Sequence, residues 1–269
     1  MGHVIGEDIL KKNVRRSTGT KLKGDRGELN FLNSFSRYLG HDDYLIHNPN
    51  FGEHNPDFLY ISPSQGFYII EIKNVSLSIF KYVNTAGVFT TKQGDLKKYL
   101  GQAKVHHDEL SRFIESTLSQ NIYQNIGYCL VFMSATLNEF NNRFNSTLSK
   151  WDDTERRNFF KHVFFIDQLN SQEIISKIYQ GKQYPQKTMN VNLQKLENII
   201  ELVTPYDPDT VLQVDERVKN KMQIINVIEN LAVESKKQIS KKINEALQPK
   251  INLLYNAVTS VELYFRLND

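Results

Sequence analysis

The sequence predicts an α/β chain: helices and strands alternate around a sheet covered on both faces, and a helical C-terminal region follows. Three observations carry this. Residues 57–61 and 67–73 are apolar at both alternating sets of positions, the mark of a central strand pair buried on both sides. Segments with helical spacing precede and follow that pair, at 24–39 and 95–118. Beyond Pro205 the chain repeats apolar residues every three or four positions. With 269 residues, 40% of them hydrophobic and 23% charged, the chain can fill a real core, which excludes wholesale disorder.

Residues 1–23 hold Lys11, Lys12, Arg15, Arg16, Lys21 and Lys23 against Glu7 and Asp8, so the positive excess of the chain sits there. Such a leader could lie along a phosphate backbone or be a solvated tail. Leu29, Phe31, Leu32, Phe35 and Leu39 then fall at helical spacing, with Gly40 as the stop. Residues 44–47 read as a short strand entering the loop Asn48-Pro49-Asn50-Phe51-Gly52. The strong strands 57–61 and 67–73 flank Ser62-Pro63-Ser64-Gln65-Gly66, a turn. Residues 76–91 continue as β structure with a turn near Asn84–Gly87, and 95–118 form a long amphipathic helix. Strands are expected at 126–133 and 162–166, and helices at 152–160, 172–179 and 193–203.

Pro205-Tyr-Asp-Pro-Asp209 cannot continue a helix and marks a boundary. The chain therefore divides into a basic leader (1–23), a central domain (24–204) and a helical, coiled-coil-like region (205–269). In the last, Leu247, Ile251, Leu254, Val258, Val261 and Phe265 form a narrow apolar stripe, preceded by an interrupted one from Val218 to Ile243. Pro249 is expected to open a new helix. The region suits a helical hairpin packed on itself, self-association or a protein partner through residues 210–269. The single cysteine, Cys129, excludes a disulfide scaffold and fits a reducing compartment. No apolar run is long enough to span a bilayer, and no apolar segment follows the N-terminal lysines as in a secretory signal. A soluble, cytoplasmic protein is expected.

The chemistry lies in the hairpin. Its turn centres on Ser64, so an ideal antiparallel register sets Asp57 opposite Glu71, with Cβ atoms about 5 Å apart. Period-two alternation puts Lys73 on the face of Glu71. Two facing carboxylates repel unless they share a proton or a cation. Grouped at the end of otherwise apolar strands, they suit Mg²⁺ or Mn²⁺, which take one or two protein carboxylates and keep several waters. Such an ion polarises a phosphate and lowers the pKa of a bound water, and a neighbouring lysine can hold that water or offset charge on the phosphate. A plain salt bridge of Lys73 with Glu71 or Asp57 is the alternative.

Pro56-Asp57, a thirteen-residue gap, then Glu71-Ile72-Lys73 resembles the PD-(D/E)XK nuclease motif. Gly24-Asp-Arg-Gly27-Glu28, Pro56-Asp57 and Gly66-Phe-Tyr-Ile-Ile-Glu-Ile-Lys-Asn74 together resemble the nuclease-related domain (NERD) variety of that superfamily, over roughly residues 24–180. The resemblance implies a restriction-endonuclease-like mixed central sheet flanked by helices, and metal-dependent cleavage of DNA. It assigns Asp57 and Glu71 as metal-binding acids, Lys73 as the catalytic lysine, Glu28 as a first-helix acid completing the metal site, and Gln102 as a group for a metal-bound water or the substrate phosphate. Members are often fused to other modules; here no Walker-type loop is present.

Other candidates are weaker. His106 and His107 are adjacent on a helix, point about 100° apart and are expected to be exposed. His54 could contact phosphate or be a plain loop residue. Cys129 reads as core, and Trp151 is uninformative. Tyr82, Phe89 and Lys92 could line a nucleic-acid groove or simply pack the hairpin. The function expected is a Mg²⁺- or Mn²⁺-dependent DNA endonuclease, in a setting such as defence against foreign DNA or repair. The alternative is a nuclease-like subunit that binds nucleic acid or recruits a partner without cutting.

Overall fold

The computed structural model describes residues 2–53, 55–118, 122–182, 189, 191 and 193–205, with 238, 241–242, 244–249 and 252 beyond them. It divides into two units, 1–206 and 207–269. In chain order the first unit runs β1 (His3–Ile5), α1 (Glu7–Arg16), α2 (Gly19–Phe35), β2 (Tyr44–His47), β3 (Phe58–Ser62), β4 (Gly66–Lys73), β5 (Phe80–Val83), β6 (Phe89–Thr91) and β7 (Leu96–Lys97). It continues with α3 (Tyr99–Leu118), β8 (Ile126–Phe132), α4 (Leu137–Arg143), α5 (Asn145–Leu148), α6 (Asp153–Phe160), β9 (Val163–Phe165), α7 (Glu173–Tyr179) and α8 (Leu193–Val203).

The apolar hairpin is the centre of a mixed six-stranded sheet, ordered β1-β2-β3-β4-β8-β9. Pairing is parallel at β1/β2, β4/β8 and β8/β9 and antiparallel at β2/β3 and β3/β4. Parallel neighbours need helical crossovers, which cover the sheet on both faces. On one face Phe58, Tyr60, Tyr68, Ile70 and Ile72 pack with Leu10, Phe31 and Phe35 of α1 and α2 and with Ile174 and Ile178 of α7. On the other, Ile46, Leu59, Ile61, Phe67 and Ile69 meet Leu110 and Ile114 of α3 and Leu196, Ile199 and Val203 of α8. A smaller antiparallel sheet, β5-β6-β7, closes a third cluster built on phenylalanines from Phe80 to Phe165. The fold class expected from the sequence is the one observed.

The hairpin turns through Pro63–Gln65, with Ser62 paired to Gly66 and the Gln65 N–H donating to the Ser62 carbonyl at 3.1 Å. Gly66 is required there. Its φ is 124°, and a Cβ would lie 2.0 Å from the Asn125 carbonyl oxygen.

Three expectations are corrected. The basic leader is not a separate tail: β1 pairs with β2, Leu10 of α1 is fully buried, and α1 packs along α2. Lys11, Arg15, Arg16, Lys21 and Lys23 occupy exposed positions of these helices, so the charge that marked the segment as a leader is a solvated face. The first core helix starts at Gly19, five residues before Gly24. The helix expected from 95 starts at Tyr99, because a turn at Thr91–Gly94 folds residues 96–97 back onto β6 and leaves Leu96 60% exposed.

In the second unit residues 241–242 and 244–249 are helical. Pro249, expected to open a helix, instead continues one that already covers 244–248, and Leu247 of the apolar stripe is exposed. The remaining stripe positions, from Val218 to Ile243 and from Ile251 to Phe265, lie outside the described residues.

Candidate metal and nuclease site

The hairpin register is the one its turn dictates. Phe58 pairs with Ile70, so Asp57, one residue before β3, stands across from Glu71. The Ile72 N–H donates to Asp57 Oδ2 at 2.6 Å, which ties the carboxylate to β4. Glu71 has no exposed side-chain surface, two residues before the end of β4, where it follows Phe67 and Ile69 on the same face and precedes Lys73. A charged group so placed costs several kcal/mol unless it is compensated. Lys73 compensates part of it: Nζ donates to Glu71 Oε2 at 3.0 Å and lies 4.0 Å from Asp57 Oδ2, with the Tyr99 ring centroid 5.5 Å away.

Two histidines complete the arrangement, and sequence reasoning missed both. α3 lies over β4 and β8 and sets His106 against Glu71, with Nε2 3.3 Å from Oε1 and Nδ1 3.2 Å from Glu109 Oε2. Neither Glu71 Oε1 nor His106 Nε2 makes an aligned hydrogen bond, although both are buried. On the other face of the sheet, His47 at the end of β2 places Nε2 2.9 Å from Glu28 Oε2. Glu28 reaches the region because α2 passes close to the end of β4. A Cβ on Gly27 would lie 2.6 Å from Asn74 Cβ, and Asn74 Nδ2 donates to the Lys23 carbonyl at 2.7 Å. The Gly27-Glu28 pair in the sequence thus has a steric reason. The signal available for His106 was its place one helical turn after Gln102; for His47 it was its position opposite Phe58, next to Asp57.

Electrostatics mark the site as short of positive charge. Burial, then the Glu71 charge, pushes Asp57 from 3.8 up to about 7 against the pull of Lys73, with Glu28 adding to the rise. Burial also raises Glu71; Lys73 opposes this and Glu28 reinforces it. Burial alone would lower Lys73, but Glu71 and Asp57 outweigh it and hold the ammonium above its ordinary range.

No group of three His, Cys, Asp or Glu side chains among the described residues forms a ready metal cage. Glu28, expected to complete the metal set, is turned to His47. The remaining donor set still fits a hard divalent cation that keeps most of its waters: two facing carboxylates, one with an orphaned buried oxygen, both raised by burial first and by the Glu28 charge as well, Asp57 also by Glu71.

Gln102 is exposed on the first turn of α3 and makes no hydrogen bond to Asp57, Glu71 or Lys73. His106 and His107, expected at the surface, are 2% and 4% exposed, because α3 lies in the groove between β4 and β8 and turns one ring to each strand. Phe89 is fully buried against Phe80 and Phe132, so of the three groove candidates only Tyr82 and Lys92 are exposed. Cys129 is core as expected, its thiol pushed up by burial. Trp151 packs on Phe159, and His54 lies outside the described residues.

The family comparison covers this site. Residues 23–133 match the model of NERD, the nuclease-related domain, a span that contains Glu28, His47, Asp57, Glu71, Lys73, Gln102 and His106. No curated protein and no solved structure matches the chain. Residues 23–133, which carry the acid pair and lysine at the end of a mixed sheet flanked by helices, thus match a family that belongs to the PD-(D/E)XK-like nuclease superfamily.

Proposed function

We propose that the chain is a divalent-metal-dependent nuclease that hydrolyses phosphodiester bonds within DNA. One observation carries the reading: Asp57 and Glu71 face each other beside the Lys73 ammonium at the rim of an otherwise apolar hairpin. A salt bridge built for stability would not need a second, repelling carboxylate, nor a fully buried glutamate with an unpaired oxygen.

In this reading Asp57 and Glu71 hold Mg²⁺ or Mn²⁺, and Glu28 acts on the hydrated ion through water. Such an ion polarises the scissile phosphate and lowers the pKa of a bound water. The protein supplies orientation and charge. The Ile72 N–H and Lys73 each anchor one carboxylate oxygen, so the free oxygens keep a fixed direction. Held in its charged form, Lys73 orients the attacking water and stabilises charge gathering on the phosphate. In the same reading Gln102, exposed on α3 one turn before His106, contacts the substrate backbone. Residues 210–269 are proposed to bring copies of the chain together or to dock a protein partner.

The test uses purified full-length protein, supercoiled plasmid and Mg²⁺ or Mn²⁺. Nicking and linearisation that vanish in Asp57→Ala and in Lys73→Ala support the reading. Cleavage that survives both substitutions refutes it, and digestion of RNA in place of DNA corrects the substrate.

A further inference from the structure

α3 has a second side. While His106 faces Glu71, Lys104 and His107 point across β8, where two adjoining cavities of about 350 and 300 Å³ open toward α6 and β9. They share Lys104, Tyr128, Lys161 and His162, and no acidic side chain lines either one among the described residues. Lys182 adds a third lysine at the far end, where its Nζ donates to the Gln65 carbonyl. Asp108 sits one turn from Lys104, 3.1 Å from its Nζ and 2.9 Å from His107 Nδ1, so part of the charge of Lys104 is met. Lys161 has no acid within ion-pair distance among the described residues, and burial lowers its pKa with nothing opposing. Beside it the His162 ring stacks on Tyr128 at 4.3 Å. His162 is pushed to about 4, by burial first and by the Lys161 and His107 charges after it, and stays neutral. A cation half withdrawn from water, in a cavity without acids, is a place where an anion relieves a standing cost.

The cleft also adjoins the acid–lysine site. The first turn of α3 sets Tyr99 over Lys73 and places Leu100 and Gly101, the next two residues, on the cleft wall. Along β8, Tyr128 is two residues from Leu130, the partner of Glu71, or about 7 Å of strand. A polyanion crossing the start of α3 reaches both places.

We infer that this cleft seats a phosphate of the nucleic-acid strand beside the scissile position, held by Lys161 and Lys104. The inference rests on the nuclease reading for the identity of the strand, but its test does not need cleavage. Full-length Asp57→Ala protein in EDTA, which cannot cut, is titrated with a fluorescent single-stranded DNA across a salt series. Removing one lysine–phosphate pairing lowers the slope of log affinity against log salt by about 0.7, which is about fivefold in affinity near 0.1 M salt. Adding Lys161→Ala is expected to give that reduction, the Lys104→Ala/Lys161→Ala pair about 25-fold, and Lys161→Arg close to none. Lys161→Gln, which keeps the aliphatic stem, must match Lys161→Ala; a weakening in Lys161→Ala alone would point to misfolding and overturn the inference. Unchanged affinity and slope in Lys161→Ala overturn it too. So does calorimetric binding of free deoxyadenosine monophosphate or inorganic phosphate that needs Lys161 while strand affinity does not, because the ligand is then a free nucleotide or phosphate. DNA left uncut by wild type with Mn²⁺ removes the nuclease reading and leaves this measurement standing.

Discussion

Replacing Asp57 by Asn tests the electrostatics of the site while keeping an oxygen that can accept the Ile72 N–H at 2.6 Å. Burial and Glu71 hold the Asp57 carboxyl at about 7 in the fold, against 3.8 in the unfolded chain. A raised acid binds its proton more tightly when folded. Its contribution is therefore neutral below about pH 4 and becomes a loss of stability as pH rises to about 7. At 1.36 kcal/mol per pH unit the ceiling is about 4 kcal/mol. With the side chain 24% exposed, solvent screening brings the expected figure to about 2 kcal/mol. In EDTA at pH 8, Asp57→Asn should be more stable than wild type by that amount, about 4–8 °C in Tm for a unit of this size. The gap should close as pH approaches 4. Saturating Mn²⁺ reverses the order, because ion at a hundred times its Kd stabilises wild type by about 2.7 kcal/mol and the variant hardly at all. Thermal melts from pH 4 to 8, with and without Mn²⁺, read all three effects. A variant less stable than wild type at pH 8 in EDTA, or a difference that ignores pH, refutes the reasoning.

Other predictions follow from the same geometry. Lys73→Met should lower cleavage at least about a hundredfold while DNA binding by anisotropy is unchanged; a loss of binding instead would make Lys73 a substrate anchor. His106→Ala should weaken Mn²⁺ binding about 10- to 100-fold in an electron paramagnetic resonance titration, with part recovered in His106→Asn; an unchanged titration would remove His106 from the site. Gly27→Ala should cost about 1–3 kcal/mol in urea unfolding and lower activity, since its Cβ would drive α2 and Glu28 away from Asn74. Removing residues 210–269 should lower the oligomeric mass by light scattering; a monomer before and after would argue against self-association.

Much of the site is readable in the linear chain because it depends on local rules. A three-residue loop sets the register of the hairpin, and register with period-two alternation is enough to oppose Asp57 and Glu71 and to align Lys73. Apolar residues on both faces of β3 and β4 announce a central strand pair. The leader misleads because its pattern is dominated by charge, while what holds it is non-local: a three-residue parallel pairing of β1 with a strand some forty positions later, and Leu10 closing the core. Whether Phe89 lines a groove or packs stays open in the sequence for a similar reason, since short strands do not reveal which face a second sheet covers; the structure packs it.

The amino-acid sequence alone determined the acid pair, the lysine and the sheet that carries them, since turn length and side-chain alternation act within a few residues. Only the tertiary structure decided that His106 closes on Glu71 and His47 on Glu28, that Glu28 is held away from a three-acid cage, and that a lysine-lined cleft opens behind α3. These groups are far apart in the chain, and which side of a buried helix meets which strand is chosen by packing across the whole core, which no local period records.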